Sequence, residues 1–133
     1  MVVVPKGEFW MGSPEGEEGR DGDERRHPVE VGGFAMGRYE VTVEAFQRFV
    51  EETGYRTDAE RNAGGVEGCW SYDKDAEKPW DWRGWASWRK PNQYQANQGL
   101  RPVSCVSWND AVAYAKWLSE ETGEGCRLPT EAV

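Results

Sequence analysis

Apolar residues recur at three- and four-residue intervals in two stretches of the chain and alternate in several shorter ones, and the two periods predict different elements. In the last third, Trp108, Ala111, Val112, Ala115 and Leu118 keep the helical spacing and leave Ala113, Lys116 and Glu120 toward water. Ser107 stands at the N-cap position with Asp110 three residues on, a fair capping box in which Asp replaces the usual Glu, and Gly123 supplies the stop. An earlier helix is capped by Thr42 and ends at Gly54. Phe46, Phe49, Val50 and Thr53 form its inward stripe, while Glu44, Arg48 and Glu51 face out.

Alternation and β-branched runs predict strands at residues 2–4 and 8–11, broken by Pro5 and Gly7, with one inward aromatic from the Phe9-Trp10 pair. Two more strands, one at Val29 and Val31 and one over 34–41, are joined at the turn dipeptide Gly32-Gly33. Val103 and Cys105 alternate with Ser104 and Val106, which reads as a strand or an extended approach to the second helix. Residues 13–26 contain Gly, Glu, Asp and Arg and almost nothing apolar, a solvated acidic loop. A calcium reading of Glu15, Glu17, Glu18, Asp21, Asp23 and Glu24 answers to the appetite of hard cations for several oxygens, but the spacing is not that of an EF-hand.

From 56 to 99 periodicity fails, and Trp70, Trp80, Trp82, Trp85 and Trp88 appear among Gly, Pro, Asp and Lys. A loop of that length needs ties of its own. On one reading each indole fills a pocket and donates its N–H to a backbone carbonyl. On the other, Trp82 and Trp85, which bracket Arg83-Gly84, stand on the surface as stacking platforms that bind a peptide or sugar.

The 133 residues suit one domain or part of one. Eight Trp, five Tyr and four Phe supply large apolar surfaces from few positions, so the composition is globular although only 38% hydrophobic. Sixteen basic against twenty-four acidic residues give a net charge of −8, which repels phosphate backbones and anionic membranes and sets aside nucleic acid and membrane partners. The first residues carry no basic and apolar leader pattern, and no stretch approaches the roughly 20 apolar residues of a transmembrane helix, so the chain reads as cytoplasmic. Cys69, Cys105 and Cys126 show no CxxC or Cys/His metal spacing, which favours a reducing compartment; if there is one disulfide, Cys105 with Cys126, flanking one helix, is the pair to examine. His27 is the single histidine, so triad and His-rich metal chemistries are set aside.

Several motifs stand in a fixed order: Phe9-Trp10-Met11-Gly12-Ser13, His27-Pro28-Val29, Phe34 to Thr42, Phe46-Gln47-Arg48-Phe49-Val50, Trp88-Arg89-Lys90-Pro91-Asn92 with Gln95, Pro102 to Leu118, and Arg127-Leu128-Pro129-Thr130-Glu131-Ala132. Together they resemble the formylglycine-generating enzyme family, also called sulfatase-modifying factors. The resemblance implies an α+β fold, the family's variant of the C-type-lectin-like fold, with two helices on a small twisted sheet and much irregular structure. It covers residues 1–133 as the N-terminal part of one domain, truncated after the Arg127 to Ala132 motif, beyond which the family carries its redox-active cysteine pair and calcium sites. Enzymes of the family oxidise a cysteine of a sulfatase to formylglycine with copper and oxygen. The resemblance therefore implies copper and calcium for the full domain, a sulfatase-like peptide or protein as substrate, and no catalytic or metal residue in this chain, which alone is expected to be inactive. The alternative is a non-catalytic ligand- or protein-binding module on the same fold. An iron-dependent sulfoxide synthase sharing this domain needs a histidine cluster, for which His27 does not suffice.

Overall fold

The structure is a computed structural model describing residues 1–62, 65, 67–92 and 99–133; Gln95 of the motif series lies outside the described residues. Six strands and three helices are described, an α+β content, in two compact units: Met1–Arg38 with Pro129–Val133, and Tyr39–Leu128.

In the first unit, β1 (Val2–Val4) pairs with β4 (Phe34–Met36) and β2 (Gly7–Met11) with β3 (His27–Val31), all antiparallel. The strands on either side of Gly32-Gly33 are thus not partners of each other. The two ladders run in succession, with Pro5-Lys6 breaking one side where Gly32-Gly33 breaks the other, because proline cannot donate to a ladder and glycine tolerates the matching bend. The connection that reverses the chain is the acidic loop, cinched at its neck by Ser13 N–H donating to Glu24 O at 3.1 Å and the Ser13 hydroxyl donating to the Glu24 carboxylate at 2.7 Å. Neither Phe9 nor Trp10 is buried, contrary to the expected inward aromatic; the Arg26 guanidinium instead lies 5.3 Å from the Trp10 ring centre. Residues 39–41 are not a strand.

In the second unit, α1 (Val43–Thr53) and α3 (Trp108–Thr122) begin and end where their caps predict. Thr42 accepts from Ala45 N–H, Ser107 and Asp110 form a reciprocal capping box, and Gly54 and Gly123 close the helices in left-handed conformations. Residues 102–106 lead into α3 without forming a regular strand, with Val103 N–H donating to Val41 O at 2.8 Å and Cys105 in the left-handed region. The α1 stripe is Val43, Phe46, Phe49 and Val50. Thr53 is exposed and spends its hydroxyl on Phe49 O.

The α3 stripe is rotated from the expected one. Asp110 and Trp117 are buried, with Ala113, Tyr114 and Leu118 packed beside them, whereas Trp108 is 72% exposed and Val112 also faces out. Aromatic area decides the rotation. Tyr114 and Trp117 sit 5.6 Å from Phe49, ring centre to ring centre, and together bury more apolar surface than the valine and alanine methyls that the sequence pattern favours. Lys116 and Glu120 are exposed as expected; Ala113 is not. The core is completed by Trp88, which meets Phe46 edge-on at 5.2 Å.

Between the helices lie a short α2 (Asp58–Arg61) and the hairpin of β5 (Cys69–Tyr72) and β6 (Trp80–Arg83), where no periodicity was legible. The strands form three two-stranded ladders, and the stripes of the two long helices meet each other and Trp88.

Candidate functional site

The β5–β6 hairpin collects the aromatics that composition made conspicuous. Its register places Trp70 opposite Trp82 and Tyr72 opposite Trp80. Residues two apart in a strand share a face, so these four rings stand together, and Ser71 and Asp81 point to the other side. All four are open to solvent, Trp70 at 58%, Trp80 at 59% and Trp82 at 47%; Tyr72 and Trp80 touch with ring centres 5.2 Å apart. The period-two spacing of Trp70 with Tyr72 and of Trp80 with Trp82 was the signal in the sequence, missed because each strand is only four residues long.

Of the two predicted ligand-binding residues, Trp82 belongs to this face and Trp85 does not. Trp85 follows β6, is 42% exposed, and has the Lys90 ammonium 5.4 Å from its ring centre. Trp82 also does structural work, since its indole N–H donates to Glu67 O. The pocket-filling reading holds for Trp88 alone among the five loop tryptophans, and its N–H goes to a carboxylate, Glu60 Oε2 at 3.2 Å, not to a carbonyl.

Two features seat the hairpin. Gly68 has φ +83°, and a Cβ there would fall 1.8 Å from Arg83 O, so only glycine allows the chain to pass beneath β6. Cys69, the first residue of β5, is disulfide-bonded to Cys105, with Cα atoms 5.5 Å apart. This pairing corrects the expectation that a single disulfide would join Cys105 and Cys126 across α3: Cys105 is bonded to Cys69, and Cys126 is the free thiol. Spacing along the chain could not select Cys69, because the approach depends on a hairpin that the sequence did not reveal.

The residues of the recognised motifs converge on the start of α2 rather than on a catalytic centre. Asp110, fully buried, accepts from Ser107 N–H at 2.8 Å, Asp58 N–H at 3.0 Å and the Tyr55 hydroxyl at 3.0 Å. The Ser107 hydroxyl donates onward to Asp58 at 2.6 Å. Glu60 accepts from the Thr57 N–H and hydroxyl, from Trp88 and from Arg89. Burial pushes the Tyr55 hydroxyl up to about 12, with the bond to Asp110 adding to it. Burial also raises Glu60, but the hydrogen bonds from Thr57, Arg89 and Trp88 outweigh it and hold the carboxyl below its ordinary value. Asp58 is lowered by bonds from Ser107 and Asn109.

A pH dependence follows. Carboxyls depressed in the fold stabilise it fully above the ordinary carboxylate pKa, about 4.3, and lose that contribution as pH falls through the folded values. The melting temperature should therefore fall from about pH 5 downward, and Glu60→Gln should flatten that slope in thermal melts across pH; an unchanged slope would remove Glu60 from the account.

The acidic loop and β3 line a cleft with Asp21, Asp23, Glu24 and His27. Among the described residues no three His, Cys, Asp or Glu side chains are placed to hold a metal ion.

The sulfatase-modifying factor enzyme 1-like domain matches the chain over residues 1–133. The chain belongs to that family. A formylglycine-generating enzyme of Mus musculus is 39% identical over 99% of the chain and 37% of its own length, and an inactive C-alpha-formylglycine-generating enzyme 2 of Bos taurus is 36% identical over 98% and 46%. The structure of PvdO from Pseudomonas aeruginosa superposes with TM-score 0.66 at 33% identity, over 98% of this chain and 43% of that one. The chain thus spans less than half the length of each of these proteins.

Proposed function

We propose that this chain forms the scaffold portion of a sulfatase-modifying-factor domain of the C-type-lectin-like type and does not by itself oxidise cysteine to formylglycine. The observation that carries this is the thiol inventory: Cys69 and Cys105 are consumed in a disulfide and Cys126 is the one free thiol. A copper ion held by two thiolates does not fit a chain with a single free thiol. Ser107, Asp110, Trp88 and Arg89, which stand in the motifs that resemble the family, are spent on hydrogen bonds within the fold.

A second reading, a binding module for a peptide or protein, is favoured by the exposed face of Trp70, Tyr72, Trp80 and Trp82. It is compatible with relatives both named as enzymes and named as inactive. No helix among the described residues is long and apolar enough to cross a membrane. The Cys69–Cys105 disulfide favours an oxidising compartment for the chain.

One experiment addresses both readings. The 133-residue chain is incubated with Cu(I), oxygen and a peptide carrying Cys-x-Pro-x-Arg, and the peptide is followed by mass spectrometry and by its retention on the chain. The expected result is no conversion of the peptide cysteine above a no-protein control. Turnover would overturn the proposal, while retention that disappears in Trp82→Ala would establish the binding reading.

A further inference from the structure

We infer that the Cys69–Cys105 disulfide is a redox latch that orders the aromatic hairpin while leaving the helical core to stand without it. The inference rests on four observations about where the bridge sits. The buried cluster consists of Val43, Phe46, Phe49, Val50, Trp88 and Trp117, and neither β5 nor β6 contributes to it. The hairpin therefore lacks the apolar burial that holds the helices, and a lone two-stranded hairpin is marginal in water. Its four large rings on one face gain nothing from packing within the core, so its order depends on tethers.

The bridge joins the first residue of β5 to residue 105, two positions before the Ser107 cap of α3. It closes a loop with a sequence separation of 36 residues containing the whole hairpin, a constraint that acts mainly on the opened ensemble. Cys105 has φ +57°, the left-handed region that a residue with a Cβ seldom occupies unless its surroundings hold it there. Cutting the bridge frees that residue to relax toward ordinary backbone and lets β5 move from its seat. Both half-cystine residues are partly exposed.

The chemistry balances with a dithiol as the reductant. Its thiolate attacks one sulfur of the bridge, the S–S bond breaks to leave a thiolate on the other cysteine, and the second thiol of the reductant resolves the mixed disulfide. Two electrons pass to the protein, the reductant closes into its own disulfide, and Cys69 and Cys105 end as thiols. The latch does not depend on whether the aromatic face binds a ligand, but it would set whether that face is presented.

The test is hydrogen exchange read by mass spectrometry on the 133-residue chain, before and after dithiothreitol, with alkylation to count thiols. Oxidised protein should alkylate at Cys126 alone and reduced protein at all three cysteines. Reduction should lower protection of Cys69–Tyr72 and Trp80–Arg83 by about tenfold or more while α1 and α3 keep theirs, and reoxidation should restore it. The variant Cys69→Ser with Cys105→Ser should show the reduced pattern and ignore dithiothreitol. Three alkylatable thiols before reduction, unchanged hairpin protection after it, or a parallel loss in α1 and α3 would each overturn the latch. So would a double variant that fails to fold, since the helices are expected to survive without the bridge.

Discussion

Asp110→Ala should destabilise the chain by about 3–5 kcal/mol, one of the two largest effects expected from a single substitution, although Asp110 touches no ligand. Its carboxylate is fully buried and accepts from three donors: the Ser107 N–H that starts α3, the Asp58 N–H that starts α2, and the Tyr55 hydroxyl between the helices. Removing it orphans all three, and each buried donor left without a partner costs about 1–3 kcal/mol. Burial of the site prevents water from replacing the carboxylate at no cost. Asp110→Asn should cost less, because the amide oxygen still accepts while its NH2 faces donors. The comparison is made by urea unfolding at fixed m-value. A loss below about 1 kcal/mol for the alanine variant would mean that water enters the site and that the motif aspartate is not the joint between α2 and α3.

Trp88→Ala should cost a comparable ~3–5 kcal/mol, as large-to-small changes at well-packed aromatic sites do. Trp88 is 1% exposed, meets Phe46 edge-on, donates to Glu60 and lies beneath the Arg89 guanidinium at 4.3 Å. The substitution empties the centre of the helix–helix core and withdraws one of the hydrogen bonds that keep Glu60 ionised. Trp70→Ala is the contrast: with the ring exposed and only a cross-strand neighbour to lose, the change should stay within about 1 kcal/mol. Equal losses for the two variants in the same denaturation experiment would contradict the division of the loop tryptophans into one core anchor and an exposed face.

These two residues show how unevenly the structure could be read in advance. Ser107 and Asp110 were legible as a cap because the bonds that make a cap run between residues three apart and require nothing from the rest of the chain. Their second role was not, since Tyr55 and Asp58 reach Asp110 across more than fifty residues of sequence. Trp88 was visible as a candidate pocket-filler, but so were Trp70, Trp80, Trp82 and Trp85. An indole has the same composition on a surface as in a core, and only the elements that pack on it tell the two apart.

Local chemistry determined the ends of α1 and α3, the presence of four strands in the first unit though not the end of β4, the solvated acidic loop and membership of the family, each through hydrogen bonds or side-chain patterns contained within a few residues. The tertiary structure decided the rotation of α3, because Tyr114 and Trp117 bury more area against Phe49 than the alanine and valine stripe could. It decided the pairing of β1 with β4 and β2 with β3, because register across a long loop is a matter of distant partners. It also decided that Cys69, and not Cys126, meets Cys105, because a disulfide forms between sulfurs that the fold brings together, and the hairpin that carries Cys69 to that place is held by contacts no short stretch of sequence contains.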